Sequence, residues 1–233
     1  MVTADNLVNV PQLAEVRVRN TIETLAVLGN DIRKWPDLAR KELIVGAPIK
    51  ILDAKGNIMS TAPKLALVVV SPNFREHFCA EPDASEVMVY DTMIEADAVQ
   101  HIIKWVNDLT KKPNGKFGVS VPNTDINLIK TRYAALKFGM EAYVRHFNRL
   151  YKESLRARIP TFDECLLVAL YATGDDDDLM MAVGERLGYL RRRNRFSEEE
   201  SVELAKFLTY HDRVCKAVDK ADARALRARS SGF

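Results

Sequence analysis

Ser71 sits between three valines and Pro72, and a serine hydroxyl beside a base can act as a nucleophile. Val70-Ser71-Pro72 lacks the flanking glycines of a nucleophile elbow, so Ser71 reads as a turn or cap residue at a helix end. Cys79, Cys165 and Cys215 include no Cys-x-x-Cys pair for zinc or redox work. Cys165 falls on an apolar helical face as a small hydrophobe, and no basic cluster flanks Cys79 to make it reactive. His77, His101, His146 and His211 lie far apart, with no His-x-x-x-His spacing, and read as structural histidines. Gly115-Lys-Phe-Gly118 lacks the Gly-Lys-Ser/Thr ending of a phosphate loop and reads as a hairpin turn. Counting a calcium loop from Asp175 puts Met180 at the sixth position and Arg186 at the twelfth, where glycine and glutamate are needed. The run Asp175–Asp178 therefore reads as acids at a helix start, complementing the macrodipole. The sequence thus predicts no catalytic, cofactor-binding or metal-ligating residues and no cofactor.

The sharpest charge feature is Arg191, Arg192, Arg193 and Arg195. These residues suit a cationic helix C-terminus ahead of the acidic start Ser197-Glu-Glu-Glu200; a nuclear-localisation or nucleic-acid patch is the alternative. Overall charge disfavours nucleic acid as a partner of the whole domain, because 34 Lys and Arg nearly balance 32 Asp and Glu in 233 residues. The sequence shows no secretory leader and no apolar run near the roughly 20 residues of a membrane span, so a soluble cytoplasmic and/or nuclear protein is expected.

The elements that must carry these residues follow from periodicity and punctuation. Val10–Leu28 reads as a helix, stopped at Gly29-Asn30. Pro48–Asp53 and Ile58–Ala62 read as strands around a tight turn. Leu65–Val70 is apolar on every side. Valines favour strands, yet Pro63 and Ser71-Pro72 bracket the segment as a short buried helix. A short helix from Asn73, a strand at Glu86–Tyr90, an amphipathic helix at Glu95–Leu109 and an alternating strand at Phe117–Val121 follow. A helix capped by Thr124 or Asp125 runs to a Gly139 stop, and another runs from Met140 to Arg158. Beyond Pro160 helices are expected at Phe162–Ala172, Asp178–Arg193 and Ser197–Arg227, the last broken near His211.

This order, with Lys64-Leu-Ala-Leu-Val-Val-Val-Ser71-Pro72-Asn73-Phe74, Glu86-Val-Met-Val-Tyr-Asp and Tyr133-Ala-Ala-Leu-Lys-Phe-Gly-Met140, resembles a BTB/POZ domain over about residues 49–147. Pro63 stands where the family usually has histidine, which marks a divergent member, and the helical region after Arg158 resembles that of small fungal BTB-like proteins. The resemblance implies an α+β fold: a BTB/POZ-like helical cluster with a small, mostly three-stranded sheet at 45–158. An N-terminal helical segment (1–44) precedes it and an all-helical extension (159–233) follows. It also implies a non-enzymatic protein–protein interaction module, a homodimer that recruits a protein partner. A cullin-3 ubiquitin-ligase adaptor is one alternative, although Thr110-Lys-Lys-Pro-Asn-Gly lacks the hydrophobic-x-Glu motif. A chromatin-associated protein using residues 191–195 is another. The dimer stripe is expected at Leu13, Val16, Val18, Ile22 and Leu25, because an apolar helix face must be buried and a symmetric partner does so.

Overall fold

The computed structural model describes residues 10–111 and 117–230. The protein is a mixed α+β fold, mostly helical, with one three-stranded sheet. Among the described residues no helix is long and apolar enough to cross a membrane.

The chain forms two compact units. The first takes the described residues up to Pro122 together with Lys130–Val144, and the second takes 123–129 and the described residues from Arg145 on. The N-terminal helix α1 (Val10–Leu28) therefore belongs with the sheet, in place of the separate segment expected for 1–44. The expected boundary at Arg158 also moves, to Val144. Its cause is that the predicted helix over Met140–Arg158 is two pieces, α7 (Glu141–Val144) and α8 (His146–Ala157). Phe147, Tyr151 and Leu155 of α8 are buried, and α8 packs on α10 (Asp178–Arg192) of the second unit.

In the first unit a 3₁₀ turn (Ile32–Lys34) and α2 (Asp37–Glu42) lead to β1 (Pro48–Asp53) and β2 (Ile58–Pro63), which pair antiparallel. The turn between them is held by Asp53, whose Oδ1 accepts from the backbone N–H groups of Lys55 and Asn57, both at 2.8 Å. Gly56 supplies the positive φ of 83° that this tight turn needs. After α3 (Lys64–Val70) and α4 (Pro72–Ala80), β3 (Glu86–Val89) returns parallel to β1, giving the order β2-β1-β3.

All six residues Leu65–Val70 are buried, as the all-apolar pattern predicts. Each valine costs the helix about 0.5 kcal/mol relative to alanine. Burying each leucine or valine contributes about 1.5–3 kcal/mol, so packing decides the conformation. Ser71 closes the segment: its Oγ accepts from the Phe74 N–H at 3.1 Å, capping α4, and donates to the Phe138 carbonyl at 2.5 Å. The amphipathic helix α5 (Ala96–Lys111) packs on β2. Helix α6 (Asp125–Lys137), capped by Thr124 Oγ1, ends at Gly139 with φ 71°.

No strand forms at Phe117–Val121. Val119 is buried and donates its N–H to the Tyr143 carbonyl at 3.0 Å, an isolated bond that does not extend into a ladder. The hairpin turn expected at 115–118 falls mostly outside the described residues.

The second unit adds α9 (Phe162–Tyr171), α10, α11 (Glu198–Tyr210) and α12 (Asp212–Ser230). The expected break near His211 is real, and His211 is the C-cap of α11. Helices α10 and α12 form the most intimate pair, in close approach where Gly184 faces Ala217, and Met180, Val183, Leu187, Val214 and Val218 of these helices are buried. At the junction of α6, α8 and α9, Glu164 accepts from Tyr151 Oη at 2.7 Å and from both terminal nitrogens of Arg158, at 2.6 and 2.7 Å. Arg158 also reaches Asp125 at 2.5 Å. Burial and the adjoining Glu164 both push the Tyr151 phenol far above its ordinary range, so it stays a donor.

Candidate interaction surface

Successive residues of an α-helix advance about 100°. Val18, Ile22 and Leu25 therefore share one side of α1, while Leu13 and Val16 lie almost opposite, so the five predicted residues do not make one stripe. Helix α1 packs on α3 and α4, and Val18 (3% exposed) and Leu25 (7%) are buried within their own chain. Ile22 is half-buried. This corrects the expectation for Val18 and Leu25: they are core residues and cannot meet a second copy without unpacking α1. Apolar residues on one helix make a common stripe only when they share a phase, and these five do not.

Leu13 (40% exposed) and Val16 (38%) do face outward. Leu13 borders a cleft of 290 Å³ whose other walls include Arg17, Val45, Lys64 and Asp83. Val45 is half exposed, beside exposed Ile44, and Gly46 turns the chain toward β1 at φ 106°. A Cβ at position 46 would lie 3.4 Å from the Arg17 guanidinium, so the arginine rests against the turn. Across the cleft the Lys64 Nζ donates to the Pro82 carbonyl at 2.7 Å and lies 5.2 Å above the Phe78 ring. Burial lowers the Lys64 pKa, with Asp83 opposing. The result is an apolar rim beside a cleft walled by two cations, Arg17 and the anchored Lys64, and one carboxylate, Asp83. Neither Ile44 nor Val45 was singled out in the sequence, because loop residues carry no periodicity.

Several residues that could do chemistry are engaged by neighbouring groups. Cys165 is buried and its thiol pKa is pushed up to about 12 by burial, with Glu164 adding to the effect; Cys79 is exposed. His101 Nε2 lies 2.7 Å from the Ser120 carbonyl and 3.1 Å from its hydroxyl. A carbonyl only accepts, so Nε2 carries the proton and cannot take one from the hydroxyl. The pair is therefore not arranged as nucleophile and base. Among the described residues no group of three His, Cys, Asp or Glu is placed to hold a metal ion. In the run of four aspartates, Asp177 is the helix cap, accepting from the Leu179 N–H at 2.9 Å, and Asp176 pairs with Lys220 at 3.0 Å.

Arg191, Arg192, Arg193 and Arg195 do not form one cationic patch. Asn194 adopts φ 47°, the Arg195 N–H bonds the Leu190 carbonyl and the Asn194 N–H bonds that of Arg191, a left-handed helix stop that fans the arginines apart. Arg191 and Arg192 both pair with Asp222 of α12. Arg193 lies 6.0 Å from the centre of the Tyr189 ring, and Arg195 is exposed. With Asp219 a further 3.9 Å from Arg191, two carboxylates meet two of the four charges within the chain, which removes half the footprint a nucleic acid would need.

The fold and surface define a mixed α+β protein that exposes Leu13, Val16, Ile44 and Val45 on its sheet-bearing unit. Compared with protein-family models, with curated proteins and with solved structures, the chain matches none.

Proposed function

We propose that this chain is a non-enzymatic protein–protein interaction module that self-associates through the outward side of α1 and the adjoining Ile44–Val45 loop. The observation that carries the reading is that exposed Leu13 and Val45 line a 290 Å³ cleft, with Val16 exposed on the same outward side of α1. Removing such a rim from water favours association by about 25 cal/mol for each Å² of apolar surface covered, and a second copy of the same rim is the simplest cover because a two-fold interface is self-complementary. The BTB/POZ resemblance of Lys64–Phe74 and Tyr133–Met140 supports the same reading.

The test is sedimentation velocity across a dilution series, for the wild type and for Leu13→Asp combined with Val16→Asp. The wild type is expected to sediment as a dimer that dissociates on dilution, and the variant as a folded monomer. A wild type that stays monomeric at the highest concentration overturns the proposal.

A further inference from the structure

A second surface, on the helical unit, has a different chemistry. Lys152 and Arg156 of α8, with Glu185, Arg186 and Tyr189 of α10, line an open cleft of 400 Å³. Its walls carry three cations against one carboxylate. Glu185 is engaged by Lys152 at 2.5 Å. Arg156 is exposed, and no described carboxylate lies within ion-pair distance of it or of Arg186. Arg186 is fixed at its root, where Nε donates to the Arg158 carbonyl at 2.9 Å, and its guanidinium carbon lies 5.8 Å from the centre of the Tyr189 ring. Arg193 approaches the same ring at 6.0 Å. The backbone bond and the neighbouring ring hold the Arg186 guanidinium at the cleft and lower the ordering cost of capturing an anion.

We infer that this cleft binds a phosphorylated, acidic peptide segment of a protein partner. A phosphate dianion is matched by planar guanidinium forks that make paired, charge-assisted hydrogen bonds, which arginine clusters use to read phosphorylated side chains. A volume of 400 Å³ holds one modified side chain with its neighbours. Nucleic acid fits less well. The cleft offers one aromatic ring, which two guanidinium groups already attend, where strand binding uses successive free rings. The flanking Arg191 and Arg192 are paired with Asp222 and, at 3.9 Å from Arg191, Asp219. This site is independent of the self-association proposal, since it uses other residues and a different readout.

The immobilised full-length chain is challenged with two pools of random-flank dodecapeptides that differ only in a central phosphothreonine or threonine. A single-stranded oligodeoxythymidine is the third probe. The phosphorylated pool is expected to be retained selectively, with acidic flanks enriched. Arg156→Gln should weaken the best phosphopeptide about tenfold, the loss of one charge-assisted contact. Tyr189→Leu, which keeps every charge, should weaken it about threefold. Leu13→Asp with Val16→Asp should leave binding unchanged. Equal retention of the two pools, unaltered binding by Arg156→Gln, or tighter binding of the oligonucleotide overturns the inference.

Discussion

Replacing Gly184 by alanine tests the α10–α12 contact directly, because two known effects oppose each other there. In an ordinary helix the change stabilises by about 0.8–1 kcal/mol through propensity. Here the added Cβ would stand 2.5 Å from both the carbonyl carbon and the oxygen of Ala217, and 2.9 Å from its Cβ. Carbon atoms in good contact sit about 3.5–4.0 Å apart, so the helices must separate by roughly 1 Å. The obstacle is backbone and cannot swing aside, which places the overpacking cost near the upper end of its usual range, about 3 kcal/mol. Propensity offsets a third of that, leaving a net loss of about 2 kcal/mol. For a chain of this size that lowers the melting temperature by about 4–8 °C, measurable by calorimetry. Ala217→Gly should not rescue the variant, because it removes only the 2.9 Å contact and leaves the carbonyl in place. A Gly184→Ala protein as stable as the wild type, or more so, refutes the close-approach reasoning.

Arg158→Ala strips two contacts from the nearly buried Glu164 and should cost about 2–3 kcal/mol in urea unfolding, discounted because the arginine is a third exposed. Asp31 accepts from Arg33 Nε and Nη2 at 2.7 and 2.9 Å, and these bonds lower its pKa against the opposing effect of burial. Its contribution is therefore present above the unfolded carboxyl range near 3.9 and is lost as pH falls through the lower folded value; Asp31→Asn should flatten the acid limb of stability against pH. Since the Cys165 thiol ionises near 12 in the folded chain and near 8.5 unfolded, its contribution should fall as pH rises between those values. Mass spectrometry after iodoacetamide treatment at neutral pH should find Cys79 modified and Cys165 intact, with both modified in urea.

Elements marked by punctuation were legible in the sequence. Pro63 and Ser71-Pro72 bracket α3 and Gly139 stops α6, because proline and glycine impose or permit their backbone geometry locally; His211 divides the last two helices without such a constraint. Elements that depend on tertiary choice were not. The alternation at Phe117, Val119 and Val121 had no strand to pair with, and only Val119 found a buried place. The basic run could be counted but not resolved, since Asp222 lies some thirty residues away along the chain. Of the five residues expected on the α1 stripe, Leu13 and Val16 are exposed, while Val18 and Leu25 lie on the opposite, buried side of the helix, a phase that a count of apolar residues does not show. The most informative missed signal is Gly184-Glu-Arg-Leu-Gly188: two glycines four apart inside a helix, a spacing that puts both on one side, where another helix can come close. A Cβ at Gly188 would meet Asp222 Oδ1 at 2.7 Å, the same carboxylate that gathers Arg191 and Arg192.

The Ser71 clip has a consequence for synthesis. Its hydroxyl waits for a carbonyl 67 residues downstream, and a ribosome adding about 5–20 residues per second needs roughly 3–13 s to deliver it. Throughout that interval the nascent valine rod lacks its latch, so codons that slow translation between positions 72 and 138 would lengthen the time during which chaperones must shield it.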